Sequence, residues 1–461
     1  MMATVGTRFL RKLWRSVTTL STPTASMATI AILAGIALPL GVLSPAAVAA
    51  EHRSTLCVNM GGTHGCYPAI QAAVNAAPPG ATISVAAGTY KESVLIQKPV
   101  RLQGAGAATV VDAAGQPNGI VVRNVTAPAH PRLPVAVVSG FTVQNAKLEG
   151  ILVENSSHVL VANNIVRFND KNRTVTGPGP FDVICPGAMP FDQDDCGEAL
   201  HLRGVAFSTV AGNIVERNVG GILLTDETAA NHDNLVTHNI VRDNTEDCGI
   251  TLPSHPSSVS PGPNGPVFGP GHGVYRNTVS YNLSTRNGGA GAGIFAPTPG
   301  TAAYDNLVIG NVLTNNGLPG VALHSHAFGQ NLNGNTITRN TISGNAADDD
   351  AGTAGPTGIV IFSDAKGNAA PIVGTTITHN RISNEAIGVW VGTTATSLAM
   401  HHNDLAGTTV GVQNAGTGVV NARINYWGCT TGPGTPGCAA VIGNVLYAPW
   451  LHNPPGGAGA R

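Results

Sequence analysis

Asn164-Ile165-Val166-Arg167-Phe168-Asn169 is the stretch on which the reading of this chain turns. Its pattern, Asn-x-(Val/Leu/Ile)-x-x-Asn, returns beginning at Asn213, Asn239, Asn277, Asn311 and Asn340, with degenerate copies beginning at Gly140, Asn380 and Asn403. A second element, glycine followed by alternating apolar residues, accompanies most copies. Examples are Gly150-Ile151-Leu152-Val153, Gly221-Ile222-Leu223-Leu224, Gly249-Ile250-Thr251-Leu252, Gly320-Val321-Ala322-Leu323, Gly358-Ile359-Val360-Ile361 and Gly388-Val389-Trp390-Val391. Short strands in fixed order, separated by tight turns and recurring every few dozen residues, are the mark of a solenoid. Alternation with period two sends one set of side chains into the coil and the other outward. No helical pattern lies between the strands, which argues against leucine-rich and ankyrin-like arrays. The shortest spacings, 22 residues from Ala199 to Gly221 and 23 from Gly388 to Gly411, measure a bare coil. Asparagine beside a strand suits inward turn positions, where stacked amides bond from coil to coil and the residue tolerates a left-handed backbone. The expectation is a parallel β-helix.

Composition agrees. Of 461 residues 11% are charged and 5% aromatic, with 58 Gly, 31 Pro and 38 Asn. Average domains carry about 25% charged residues and about 7% Gly, so an ordinary helical enzyme and a basic nucleic-acid binder both fit poorly. With 43% hydrophobic residues and a mean hydropathy of +0.12 the chain can bury a large core, which argues against disorder.

The first 50 residues carry Arg8, Arg11, Lys12 and Arg15 without an acid, then an uncharged run from Met27 to Leu43 and the small-residue site Ala47-Val48-Ala49. This predicts a secretory signal peptide over 1–50. The alternative is an uncleaved membrane anchor, for which the run is short against ~20 residues and contains Pro39. Without the segment, 20 basic residues face 25 acidic ones, a formal charge of −5 that implies neither nucleic acid nor an anionic membrane as partner. The cysteines fit export. Cys57 and Cys66, Cys185 and Cys196, and Cys429 and Cys438 form local pairs, as loop-stapling disulfides would, although spacing alone does not fix connectivity. Cys248 is left over, at a strand edge, and reads as a buried inert thiol.

Three stretches resemble the pectin-lyase-like superfamily of right-handed parallel β-helices, specifically the bacterial right-handed β-helix repeat proteins. They are Ile70-Gln71-Ala72-Ala73-Val74, Pro79-Gly80-Ala81-Thr82-Ile83-Ser84-Val85-Ala86-Ala87-Gly88-Thr89-Tyr90, and Asn425-Tyr426-Trp427-Gly428. The resemblance covers about residues 66 to 450 and implies an all-β right-handed solenoid. Its first stretch would be a short N-terminal capping helix with Ile70, Ala73, Val74 and Ala77 on one face. One β-helix domain over 51–450 is expected, then a flexible tail over 451–461. Loop insertions are expected near 169–198, 253–272 and 345–357, because 49, 44 and 38 residues separate Gly150 from Ala199, Gly249 from Gly293 and Gly320 from Gly358. The first carries Asp182, Asp192, Asp194 and Asp195. The third carries Asp348-Asp349-Asp350, a solvated loop or a calcium site.

Aligning the coils on the glycine element predicts one outward stripe, several coils long at ~4.8 Å per coil. Its candidate catalytic residues are His201, Arg203, Asp226, Glu227, His255 and His324. Phe295, His326, Phe362, Asp364 and Trp390 are the candidates for binding substrate, the aromatics by stacking on sugar rings. Such a ladder suits an extended polysaccharide. For β-elimination or epimerisation of a uronate, Arg203 would neutralise the sugar carboxylate, with His255, His201 or His324 as base. A glycosidase would pair Asp226 or Glu227 with Glu198, Asp247 or an acid of the first insertion. The stripe offers more His and Arg than well-spaced carboxylates, which favours elimination or epimerisation. Gln193-Asp194-Asp195-Cys196 and Gly271-His272-Gly273 look like polygalacturonase motifs, but they stand 75 residues apart and both fall in insertions. The repeat is also similar to that of the periplasmic accessory protein of nitrous oxide reductase. That likeness keeps a structural, adhesive or metal-centre accessory role as the alternative. His324-Ser325-His326 and His401-His402 are metal-capable, without a third ligand at a telling spacing. The expectation is a secreted, single-domain monomer that modifies or binds an extracellular polysaccharide.

Overall fold

The computed structural model describes residues 54–127, 134–171, 174–175, 183–184, 198–263, 265–325, 329–363 and 370–460. The segment read as an export signal lies outside them, and no helix among the described residues is long and apolar enough to cross a membrane. Among the described residues a complete coil contributes one strand to each of three parallel sheets, which number 14, 10 and 12 strands in the order the chain meets them because some coils lack one or two. One circuit runs through Val159–Ala162, Ile165–Arg167 and Glu198–Arg203 and returns to the first sheet at Thr209–Ala211. Register is set by the inward column, because a one-residue slip would turn every apolar side chain outward. In the first sheet that column is Val161, Val210, Val236, Val279, Val308, Ile337, Ile377 and Met400, all essentially inaccessible to solvent.

The expected asparagine stacking is present and finer-grained than the hexapeptide suggests. Asn164, Asn213, Asn239, Asn282, Asn311, Asn340, Asn380, Asn403 and Asn425 form one ladder between the first and second sheets, each Nδ2 donating to the next Oδ1 at about 3 Å. A second ladder, one strand later, runs Asn169, Asn218, Asn244, Asn287, Asn316 and Asn345 and ends on Glu385. A third, before the first sheet, runs Asn234, Asn277, Asn306 and Asn335. Asn277 therefore belongs to a different ladder from Asn164. The true unit is five residues, Asn-x-Val-x-x, used in tandem as in Asn234-Leu235-Val236-Thr237-His238-Asn239. The backbone expectation is also corrected. The left-handed residue is the one before the ladder asparagine, as at Arg217, His238, Tyr281 and Arg339, with φ of 55–59°. The asparagine keeps ordinary geometry and satisfies the buried amide left by the turn.

The ends are closed. The helix Ile70–Ala76 buries Ile70, Ala73 and Val74 over the first coil, and the Glu92 carboxylate accepts from the Ile70 and Gln71 amides at 2.8 and 2.9 Å. At the other end Trp427 is fully buried, and its ring lies so close to Gly411 that a Cβ there would meet it at 2.7 Å. Disulfides join Cys57 to Cys66 and Cys429 to Cys438, while Cys185 and Cys196 lie outside the described residues. Cys248 is a buried free thiol. The segment after Leu451, read as a flexible tail, runs back over earlier turns. There the Gly459 amide donates to His379 O and the Ala460 amide to Thr341 Oγ1, both at 2.9 Å.

Candidate functional site

The third sheet carries the predicted stripe in its outward rows. One row runs Leu152, His201, Leu223, Thr251, Gly293, Ala322, Val360, Trp390 and Gln413, and its neighbour contains Phe295, His324 and Phe362. The expectation of a solvent-facing stripe is corrected by burial. Phe362 and Trp390 are only 8% and 6% exposed, because Ala351 of the third insertion packs on them together with Val360 and Ile387. Phe295, His324, Phe362 and Trp390 do form a ring ladder, with successive centroids 5.7, 5.3 and 6.0 Å apart. Its Phe362–Trp390 end lies under the third insertion, while Phe295 is half-buried against Cys248, Ala290 and Ala322. His326 and Asp364 lie outside the described residues.

Five of the six catalytic candidates converge on three successive strands, Glu198–Arg203, Gly220–Thr225 and Ile250–Pro253, and the turns that follow them. Three of them, His201, Glu227 and His255, form a chain of hydrogen bonds with Glu149 and Thr225. His201 Nδ1 meets Glu149 Oε1 at 3.4 Å and its Nε2 meets Thr225 Oγ1 at 2.8 Å. The Thr225 hydroxyl also bonds Glu227, whose Oε1 meets His255 Nδ1 at 2.9 Å. Burial opposes ionisation of Glu227, but the His255 hydrogen bond, the charges of His255 and His201 and the Thr225 hydroxyl together hold it well below the usual carboxylate range. Glu149 is likewise lowered, burial being outweighed by the hydrogen bond and charge of His201 with help from its own backbone and Arg203. Carboxylate, imidazole and hydroxyl thus alternate across the strands, an arrangement able to hold and move a proton.

Asp226 sits inside this group but is spent on architecture. It is fully buried and accepts from the His255 amide at 2.7 Å, from Ser254 Oγ at 2.9 Å and from the Gly273 amide. It thereby pins both ends of the second insertion. Arg203 donates to Glu154 Oε1 at 2.6 Å, and Arg123 binds the other oxygen of the same carboxylate. Two cations share one anion there. The Arg203 side chain keeps 29% of its surface in solvent, against 5% for both His201 and His255. His324 stands two strands farther on and does not join the group; its partners are Asp348 and Asp350. Burial lowers its affinity for a proton, and those two carboxylates more than restore it.

Sequence reasoning missed Glu149. The signal was present, since Glu149 stands two residues before Ile151 as Glu198 stands two before Leu200, the register partner of Ile151. It also missed the column His158, Phe207, His232, Tyr275 and Tyr304 between the third sheet and the first, with neighbouring centroids 5.0–5.3 Å apart and its last three residues on a small parallel sheet. Most of its rings stack face to face, which uses the surfaces a sugar would need.

Residues 108–260 match the family described as right handed beta helix region. No curated protein matches the chain. Among solved structures, it is similar to the catalytic domain of a GH87 alpha-1,3-glucanase in complex with tetrasaccharides. The identity is 13% and the TM-score 0.50, over 89% of this chain and 70% of that one. It is also similar to a pectate lyase, at 15% identity and a TM-score of 0.45 over 76% and 80% of the two chains. A mannuronan C-5 epimerase A-module from Azotobacter vinelandii aligns at 15% identity and a TM-score of 0.39, over 82% and 94%. With the sheets, their register and the repeat already established, the fold is that of a right-handed parallel β-helix.

Proposed function

We propose that this protein is exported and acts on an extracellular polysaccharide at the Arg203 edge of the third sheet, by β-elimination or epimerisation of a uronate sugar. The observation that carries this reading is the convergence of His201, Glu227 and His255 in one hydrogen-bonded chain beside Arg203. Arg203 and Arg123 share Glu154, and the Arg203 guanidinium keeps an exposed face suited to a sugar carboxylate. Neutralising that carboxylate acidifies the hydrogen on the adjacent carbon. His255, oriented by Glu227, removes that proton. The released electron pair either forms a carbon–carbon double bond as the glycosidic oxygen leaves with a proton, or takes a proton back on the opposite face. The likeness of the fold to that of a glucanase bound to tetrasaccharides is consistent with a sugar ligand.

A second reading is favoured by the low exposure of His201 and His255: the relay is a structural network in a binding or scaffold protein. Incubation with uronate-containing and neutral polysaccharides, reading unsaturated-product absorbance, reducing ends and uronate configuration separately, decides between them. The enzymatic reading expects a signal on uronate polymers alone, with kcat falling about 100-fold or more in His255→Gln. No product, no epimerisation and no binding would overturn it. Binding without turnover would select the scaffold.

A further inference from the structure

One turn of the solenoid gathers positive charge without acids to match it. Between the second and third sheets Phe168 and Arg217 stand on adjacent coils, the Phe168 amide donating to Arg217 O at 3.2 Å. Around the Phe168 ring are Arg167, Lys171 and Arg217, their charged groups 5.5, 5.6 and 5.7 Å from its centroid. We propose that this cluster is an anion-binding anchor, remote from Arg203, that takes an acidic group of the same polyuronate chain. The identity of the polymer rests on the uronate reading of Arg203; the anchor itself does not.

The following coils show the usual solution. Arg242 binds Glu216 at 2.7 Å and Arg286 binds Asp243 at 2.7 and 3.0 Å, so each of these arginines is matched by an acid one coil earlier. Among the described residues no acid forms an ion pair with Arg167, Lys171 or Arg217. Arg167 Nε donates to Gln144 Oε1 at 3.3 Å, and Lys171 and Arg217 are exposed. The quadrupole of one ring attracts all three cations, but they still repel one another, and a bound anion relieves that repulsion. Phe168 itself has a φ of 55°, in a column whose neighbours Asn145, Arg217, Asp243 and Arg286 are all polar. A bulky ring in the left-handed region costs energy that asparagine does not. The turn alone therefore does not select this phenyl.

The cluster also has room for a ligand. Lys171 and Arg217 line a cavity of about 230 Å³ with Asn169, Asn218, Thr245 and Asp170. Asp170 is its one acidic wall; it is 2% exposed, and its Oδ2 is engaged by the Val219 amide at 2.9 Å. Arginine and lysine side by side suit a carboxylate. Val219 leads directly into the strand Gly220–Thr225, whereas Arg203 ends the neighbouring strand Glu198–Arg203. The two cationic places thus stand at opposite ends of a six-residue strand, about 20 Å apart at ~3.3 Å per residue. A single uronate cannot touch both. A polymer with an acid on every sugar can, and two linked contacts bind more tightly than either alone.

The test is calorimetric titration of the full-length protein with polygalacturonate and with alginate, at low and high salt. The variants are Lys171→Gln/Arg217→Gln, Phe168→Asn, Arg203→Gln and, as a charge control, Lys91→Gln/Arg339→Gln, whose two residues are likewise exposed. At least one polymer should bind the unaltered protein, with affinity about tenfold lower in Lys171→Gln/Arg217→Gln and unchanged in the control. The gap should narrow as salt rises. Asparagine suits the Phe168 backbone, so Phe168→Asn keeps the fold, which far-ultraviolet circular dichroism checks, and should weaken polymer binding as well. Neither polymer binding the unaltered protein, affinity unchanged in both cluster variants, or an equal loss in the control would each overturn the anchor. Weakening by Arg203→Gln alone would remove the anchor and leave the uronate reading of Arg203 standing. Weakening by the cluster variants with no turnover of either polymer would keep the anchor and remove the enzymatic reading.

Discussion

The asparagine ladders and the outer face of the third sheet both bury polar groups, and they satisfy them by opposite means. In a ladder every rung is the same residue in the same register. The next coil therefore supplies whatever the last one leaves unpaired, and the spacing between rungs can vary from 22 to 49 residues without disturbing it. On the third sheet the partners are all different: Glu149 with His201, Glu227 with His255, Arg203 with Glu154 and Asp348 with His324. A repeating amide ladder lengthens by copying. A heterogeneous charged face does not, and each of its pairs exists once. Uniform polar burial is therefore scaffold, and the singular pairs are where a specific function would reside.

The largest effect is expected where the repeat is broken. Asn311 Oδ1 accepts from both the amide and the side chain of Asn282, and its Nδ2 donates to Val279 O and to Asn340. Asn311→Ala leaves several of these groups buried and unpaired, at about 1–3 kcal/mol each. A loss of about 4 kcal/mol in urea unfolding is expected. A loss below about 1 kcal/mol would show that the ladder is decoration on an apolar core.

The contrast also predicts opposite pH slopes from two buried carboxylates. Glu385 takes the place of an asparagine at the end of the second ladder, where its Oε1 accepts from the Asn345 amide and side chain while Oε2 has no partner. Burial is the largest influence on it, outweighs the Asn345 and Gly344 bonds, and raises its pKa from 4.5 to about 7. The folded state then holds the proton more tightly than the unfolded chain. The stabilisation is complete below about pH 4.5, falls as pH rises toward 7 and is absent above it. Glu385→Gln should flatten that slope and add about 3 kcal/mol at pH 8, at 1.36 kcal/mol per pH unit. An unchanged pH profile would place an unpaired donor or water at Oε2.

Much of the scaffold was legible because it repeats. The glycine-led strands, the amide ladders and the bare-coil length could all be read from local pattern, since each coil solves the same packing problem, whereas the capping helix Ile70–Ala76 was implied by the family resemblance. The five-residue unit was blurred because Asn282-Leu283-Ser284-Thr285-Arg286-Asn287 carries a serine where its neighbours carry an apolar residue. That side chain is tolerated in the core by donating to Gly291 O. Candidate-site identities were partly legible: scarce charges on aligned strands picked out His201, Glu227 and His255. Their accessibility was not. Whether Phe362 and Trp390 face solvent depends on where a non-repeating insertion folds, and nothing periodic encodes that Ala351 lands on them.

The smallest effect, and the sharpest test of the contrast, belongs to Glu227. Its folded pKa is depressed, the reverse of Glu385, so its contribution is present above the ordinary carboxylate pKa of 4.5 and is lost as pH falls through the folded value. Glu227→Gln keeps the side-chain volume and an oxygen to meet His255, and gives up only the charge. The expected loss is about 2 kcal/mol at pH 7, typical of a hydrogen bond to a charged partner, and it should shrink as the solution is acidified below pH 4. The double variant with His255→Gln should cost less than the sum of the two single changes, because each single change already breaks the same pair. Additive losses would mean that Glu227 and His255 are stabilised separately by their surroundings. The third sheet's outer face would then be a collection of independently satisfied charges, closer in kind to the ladders than the paired geometry implies.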